Sequence, residues 1–470
     1  MFPNIFDADD GSALNEYLAV TIACILSILC GIHIGWTSPY IPKLLKSEDY
    51  PFYISNEAAS YIAIFGPIGD VIGEITCMLT MDRLGRKNNF LLSAVPMLLS
   101  GILIYFSYVS PLLIYIARLM GGIGMGWIMS VLPVYVSEIS RPSIRGKLGV
   151  IPVAMYTFGI VAVNLAGNYL SMYHLALVVI GICFIFLATF VGMPDSPYLL
   201  LMYDRQDGAE KSLNFFRRTR NVQRELFSLE KDVKRQISEG THYKNLFTVY
   251  SNRKALMLMV FARIFQQLTG TTAFTMYNQE LLQDSKDILE PQFGVFIISF
   301  IQVLMGFVSG NLSDRFGRIP LMVYSSASCC VCLILTGSYF TIRDFSTISL
   351  PSWFPLVLLT LFFMVFQIGI GALVAVILGE IFSASIKPKA ICVVNMTFSG
   401  TVLLTTKFFQ VSRDYIHISV AFYGFALFSL LGAISFKVFY PETKGKTLEE
   451  IQMSLKSDNR EKSENSTIEK

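Results

Sequence analysis

The chain has 470 residues, 53% of them hydrophobic and 15% charged, with a mean hydropathy of +0.55. A soluble domain carries about 25% charged residues, so the composition excludes a water-soluble globular protein, and the net charge of +3 is too small for a nucleic-acid binder. The cysteines Cys24, Cys30, Cys77, Cys183, Cys329, Cys330, Cys332 and Cys392 all fall in apolar stretches. They read as small packing residues rather than a disulfide framework or a metal site.

A bilayer span takes about 20 mostly apolar residues. Such runs lie at 17–38, 58–80, 90–108, 111–136, 147–170, 174–193, 254–278, 292–312, 319–341, 353–381, 388–411 and 418–439. They predict an all-α membrane protein with twelve transmembrane helices. The segment before the first run holds Asp7, Asp9, Asp10 and Glu16 but no Lys or Arg. A cleavable signal begins with positive charge, so the first span is expected to be retained. The runs divide into two six-helix halves, at 1–193 and 254–440. A polar linker with short helices is expected at 194–253, and a tail at 441–470 that is disordered from about 451. Between Glu210 and Glu239 the linker mixes charges of both signs at helical spacing, which reads as a solvated face.

Orientation follows from loop Lys and Arg. One set of connections carries Arg83, Arg86 and Lys87, then Arg141, Arg145 and Lys147, then Arg315 and Arg318, then Lys387 and Lys389. The linker adds Arg217, Arg218, Arg220, Arg224, Lys234 and Arg235. The opposite connections hold little beyond Lys43, Lys46, Lys286, Arg343 and Arg413. Both termini are therefore expected in the cytoplasm.

Three motifs occur twice in the same order. Asp82-Arg83-Leu84-Gly85-Arg86 follows the second span and Asp314-Arg315-Phe316-Gly317-Arg318 the eighth. Glu138 with Arg145 follows the fourth span, and Glu380 with Lys387 the tenth. Pro194-Asp195-Ser196-Pro197 ends the sixth, and Pro441-Glu442-Thr443-Lys444-Gly445 the twelfth. The repeat predicts two related halves that rock about a central site. Gly85 and Gly317 permit the tight turns. The charges either fix topology alone or pair across the two halves as a cytoplasmic gate. Exposed pairs contribute about 0–1 kcal/mol each, which suits a gate that must cycle.

Further motifs carry a family resemblance. They are Asp82 through Lys87, and the stretch from Arg118 through Gly122, Gly124 and Gly126 to Pro133, Tyr135, Glu138, Arg145 and Gly146. Gln266-Gln267-Leu268-Thr269-Gly270 and Pro441 to Ile451 join them. Over roughly 17–452 the chain resembles the sugar porter branch of the major facilitator superfamily. Gly35-Trp36-Thr37-Ser38-Pro39, Gln302 and Thr406-Lys407 make it most similar to the insect trehalose-transporting members. It departs from the family pattern at Thr272 and Phe398, where the family has Asn, and at Ala375 and Ser399, where it has Trp. It departs also at Val153 in place of Gln and at Met78 in place of Gly.

The resemblance implies transport of a sugar, trehalose or a hexose such as glucose, by alternating access across the cell membrane. Facilitative uniport is the leading expectation; proton-coupled symport and a non-transporting sugar sensor stay open as alternatives. The partners are the sugar, the lipid bilayer and, for symport, protons. No nucleotide loop, metal-ligand cluster or nucleophile motif is present, so no enzyme activity, cofactor or metal is expected. Amides suit sugar hydroxyls because they offer donors and an acceptor without a buried charge. Gln266, Gln267, Gln302 and Gln367 lie inside spans, and the resemblance turns Gln266, Gln267, Gln302 and Thr272 toward the central cavity. Tyr277, Asn164 and Asn168 are further candidates. Charges inside spans are functional hypotheses. Asp70 and Glu74 share a face of the second span and Arg118 lies in the fourth. His33 stands where proton-coupled relatives carry an Asp that pairs with that Arg. Asp70 or Glu74 is expected to partner Arg118 as a structural ion cluster or a coupling site, and His33 either bonds between helices or titrates near neutral pH.

Overall fold

The computed structural model describes residues 12–46, 50–141, 144–219, 221–238, 243–348, 350–382, 386–442 and 444. Asp7, Asp9, Asp10, Thr443 and the tail from 445 lie outside the described residues, as do the side chains of Asp314 and Arg235. The chain divides into two compact units, Met1–Thr241 and His242–Lys470.

In the first unit the helices are α1 (Leu14–Ala23), α2 (Ile25–Gly35), α3 (Thr37–Lys46), α4 (Asn56–Tyr105), α5 (Leu112–Ile139), α6 (Arg145–Tyr169) and α7 (Met172–Phe190). The shorter α8 (Pro197–Met202), α9 (Gln206–Arg217) and α10 (Gln223–Ser238) follow. In the second they are α11 (Tyr243–Thr248), α12 (Tyr250–Leu268), α13 (Thr271–Leu281), α14 (Pro291–Phe316), α15 (Arg318–Phe345), α16 (Phe354–Phe366), α17 (Ala372–Ile381), α18 (Lys387–Val411) and α19 (Ile418–Phe439). Single π turns at Gln367–Gly371 and Ser412–Ile416 sit between α16 and α17 and between α18 and α19.

Ten helical segments of the described residues are long and apolar enough to cross a membrane. Two local breaks reconcile them with the twelve expected spans. The second and third spans run together in α4, whose one non-helical residue is Gly85 at φ +84°. The seventh is divided at Gly270, φ +81°, into α12 and α13. Neither piece counts among the ten, because α12 carries Arg253, Lys254, Arg263, Gln266 and Gln267. All regular elements among the described residues are helical, and the spans number twelve once the two breaks are counted.

Lipid offers helices no hydrophobic drive to associate, so small residues that let backbones touch carry the packing. A Cβ on Gly122 or Gly126 of α5 would meet the carbonyl oxygens of Gly66 or Asp70 of α4 at 2.1 Å in each case. In the second unit aromatic packing does this work. The Phe274 ring of α13 lies 5.4 Å from Phe362, 5.9 Å from Phe409, 5.0 Å from Phe422 and 5.5 Å from Phe425.

The linker helices turn Lys211, Arg218, Arg224, Lys231, Asp232 and Lys234 to solvent and pack their apolar side together. Leu201, Ala209 and Val233 from α8, α9 and α10 form their own buried cluster. Glu16 of α1 is fully buried and binds Arg141 Nε at 2.8 Å and Arg217 Nη1 of α9 at 2.9 Å. Arg217 also donates to Glu225 and to the Ile139 carbonyl. Burial pulls the Arg217 guanidinium down, but Glu225 and Glu16 more than offset it and hold it above its ordinary value. The Glu16 carboxylate thus ties α9 to α1 and to Arg141.

Candidate functional site

The repeated motifs build the same frame in each unit. Gly85 (φ +84°, ψ 173°) and Gly317 (φ +97°, ψ 160°) adopt one left-handed conformation, which glycine takes without a Cβ penalty. A carboxylate occupies the space a Cβ would need: Asp195 Oδ2 lies 2.6 Å from that point at Gly85, and Glu442 Oε2 2.8 Å at Gly317. These carboxylates accept from the helix starts that follow. Lys87 N donates to Asp195 at 3.3 Å, and Arg318 N and Ile319 N donate to Glu442 at 3.0 Å each. Such a carboxylate serves as a helix N-terminal cap. The arginine after each glycine then reaches the repeated glutamate. Arg86 Nη2 lies 2.8 Å from Glu138, and Arg318 Nη2 3.2 Å from Glu380.

Each of these pairs closes within its own unit. Arg86 is buried, since Gly85 turns its side chain back onto α5 instead of out to solvent. Asp82 lies 3.9 Å from Arg86. Arg145 bonds the Ser140 carbonyl, Lys387 the Gly379 carbonyl, and Arg315 stacks on the Phe316 ring. Arg83 is exposed and makes no ion pair among the described residues.

Inside the first unit, Arg118 sits between α2 and α4. Its Nη1 donates to the His33 carbonyl at 2.6 Å and faces His33 Nδ1 at 3.1 Å, its Nε faces the Ile62 carbonyl at 3.4 Å, and the Trp36 ring lies 5.5 Å away. Asp70 is buried within electrostatic reach of Arg118. Histidine and backbone take Nη1 and Nε, and Nη2 is buried without a hydrogen-bond partner among the described residues. Gly66 and Gly121 supply the room: a Cβ at Gly66 would lie 3.1 Å from Arg118 Nη2, and one at Gly121 2.4 Å from His33 Nδ1. Asn164 and Asn168 spend their amide nitrogens on the carbonyls of Ile160 and Asn164, one turn back.

In the second unit the adjacent glutamines part company. Gln266 Nε2 donates to the carbonyls of Ile370 (2.8 Å) and Gly371 (3.0 Å), and its Oε1 accepts from Arg263 at 2.8 Å. Its amide pins the π turn, a feature frequent at functional sites, and has little capacity left for a solute. Gln267 Oε1 accepts from the Thr272 hydroxyl at 2.6 Å, and its amide nitrogen has no partner among the described residues. The side chains of Gln302 and Gln367, both half-buried, make no hydrogen bond among the described residues. The Tyr277 ring lies under Arg413 at 4.9 Å, and Arg413 in turn binds Glu280 at 2.7 Å. Sequence reasoning missed Arg263 as the partner of Gln266, though an arginine one helical turn before a buried amide is a visible signal. It also missed Glu16, whose lone carboxylate ahead of the first span carries no local pattern.

The family model described as "Sugar (and other) transporter" matches residues 19–455. The chain is similar to the facilitated trehalose transporter Tret1 of Bombyx mori, 29% identical over 450 residues that cover 95% of this chain and 88% of that protein. It is also similar to Tret1 of Drosophila willistoni, 27% identical over 446 residues, 94% of this chain and 51% of that protein. The chain thus spans about half the length of the Drosophila relative. Among solved structures, the xylose transporter XylE from E. coli in a partially occluded inward open conformation matches with a TM-score of 0.78 at 21% identity, covering 92% of this chain and 99% of that one. The proton:xylose symporter XylE bound to 6-bromo-6-deoxy-D-glucose matches with the same TM-score at 20% identity, covering 94% and 100%. At that identity the likeness is one of fold. With a family model that covers all but the ends of the chain, this protein belongs to the sugar (and other) transporter family of the major facilitator superfamily.

Proposed function

We propose that the chain carries a neutral sugar, trehalose or a hexose such as glucose, across the cell membrane by facilitative alternating access, with both termini in the cytoplasm. The observation that carries this reading is the uncommitted carboxamides of Gln267, Gln302 and Gln367 inside apolar spans. A carboxamide offers two donors and an acceptor to hydroxyls and brings no charge to desolvate. Thr272 orients Gln267 by taking its oxygen, which leaves the donor end for solute. The Arg86–Glu138 and Arg318–Glu380 frames, with Asp82, Arg145 and Lys387 around them, brace the cytoplasmic end of each half so that it moves as one piece. The chain is a carrier and not an enzyme, so no bond is made or broken. Tret1 relatives named for facilitated trehalose transport favour trehalose as the first sugar to try.

The test is uptake of labelled trehalose and glucose by oocytes expressing the full chain, at about pH 5.5 and about pH 7.5. Saturable uptake that is indifferent to pH and stops when the gradient is gone supports the reading. Uptake that rises steeply with acid replaces it with symport. No uptake of either sugar, with the chain detected at the surface, rejects it.

A further inference from the structure

Two adjacent side-chain amides near the C-terminal end of α13 are buried with polar atoms left unpaired among the described residues. Asn278 and Gln279, at the outer end of α13, are only 2% and 7% exposed. Neither side chain makes a hydrogen bond among the described residues, and Asn278 Oδ1 and Gln279 Nε2 are sealed from solvent. A buried polar atom left unpaired costs about 1–3 kcal/mol, and two in succession beside a membrane span call for a partner the protein itself does not supply.

Their place on the helix says what that partner meets. At about 100° per residue, Thr271, Thr272 and Thr275 fall within an arc of about 100° on α13, and Asn278 and Gln279 follow directly after the kink at Tyr277 (φ −116°, ψ 15°). Phe274, Met276 and Tyr277 occupy the rest, with Phe274 locked into its aromatic cluster. The helix therefore has one anchored apolar face and one polar stripe that begins beside Gln267, through the Thr272 bond. Thr275 spends its hydroxyl proton on the Thr271 carbonyl, so the stripe's free capacity is concentrated in the two amides at its end.

We propose that Asn278 and Gln279 are solute contacts, resting on the sugar-carrier reading above. Asn278 Oδ1 accepts from one solute hydroxyl and Gln279 Nε2 donates to a neighbouring oxygen. Together they select for the hydroxyl pattern at one end of a polyhydroxylated solute, while Gln267 holds the other.

The test uses the full chain in oocytes and the labelled sugar that it carries, competed by a series of deoxyglucoses each lacking one hydroxyl. The unaltered chain is expected to discriminate against one or two members of the series. Asn278→Ala and Gln279→Ala are expected to raise KM about 2- to 10-fold, the worth of one neutral hydrogen bond, and to abolish discrimination against the matching analogue. The isosteric Asn278→Asp and Gln279→Glu are carried alongside in case the alanine variants fail to reach the surface, and Gln283→Ala, an exposed amide nearby, is the control. Analogue preference is a ratio, so it is independent of how much protein is present. Variants that keep the parent's preference and change only abundance or thermal stability overturn the inference and leave the sugar reading intact. No sugar uptake by the unaltered chain at the surface overturns both.

Discussion

Arg86 grips Glu138 with two nitrogens, Nε at 3.0 and 3.1 Å from the two carboxylate oxygens and Nη2 at 2.8 Å. In the second unit the equivalent Arg318 Nη2 lies farther from its partner, 3.2 Å from Glu380. The side chains of the first pair are 2% and 10% exposed and those of the second 13% and 31%. Matching motifs thus support unequal interactions, because burial governs the strength of a charge pair.

Removing one partner of a buried pair strands the other, at about 3–5 kcal/mol. Arg86→Ala is expected to fall in that range. Arg318→Ala should cost less than half as much, since water can solvate Glu380. Thermal unfolding of the two purified variants in detergent checks the order. Equal losses would mean that exposure does not govern these pairs.

Glu16→Gln tests whether the linker helices are held or free. The substitution removes the charge that Arg141 and Arg217 share while keeping the shape. We expect amide exchange in α9 to speed up by at least 10-fold and protease to cut the 194–253 stretch sooner, with the membrane helices unchanged. Exchange that stays at the parent's rate would show that apolar packing of Leu201, Ala209 and Val233 suffices.

Span number, the two halves and the repeated frame are legible in the sequence because apolar length, glycine and charge are local signals. The break in the seventh span is legible too, once Gly270 is taken as a helix stop rather than a tolerated residue. What the sequence leaves open is pairing. Nothing in the order of residues tells whether Arg86 meets an acid of its own half or of the other, nor that Glu16 seeks Arg141, 125 positions away. The two glutamines show the same limit at the site. Neighbours on a helix point about 100° apart, so Gln266 turns into the π turn while Gln267 meets Thr272. Nor does the pattern tell that Arg118, beside Asp70, gives Nη1 to the His33 carbonyl.

A guanidinium has only donors, so the His33 nitrogen facing Arg118 must be the acceptor, and the hydrogen sits on Nε2. A protonated imidazole has no lone pair to offer there. His33→Gln is therefore expected to leave the pH profile of uptake as it is in the parent. A profile between about pH 5.5 and 7.5 that flattens in the variant would make His33 the titrating group after all. Gly121→Ala should displace the imidazole, with a loss of about 1–3 kcal/mol from overpacking. Gly181→Ala, where nothing lies within 4 Å, is expected to be near neutral in the same thermal assay.

Gln266 and Gln267 give the sharpest contrast, because the residues are chemically identical and adjacent. Gln266→Ala removes three hydrogen bonds and strands the Ile370 and Gly371 carbonyls. It should lower stability by about 2–3 kcal/mol and reduce the amount at the surface, with KM changed less than expression. Gln267→Ala loses only the bond to Thr272 within the protein, so expression should hold while KM rises about 2- to 10-fold. Uptake kinetics normalised to surface protein separate the two. Unchanged kinetics in Gln267→Ala would remove that residue from the solute site. A raised KM with undiminished stability in Gln266→Ala would mean that the amide leaves the π turn to meet the solute during transport.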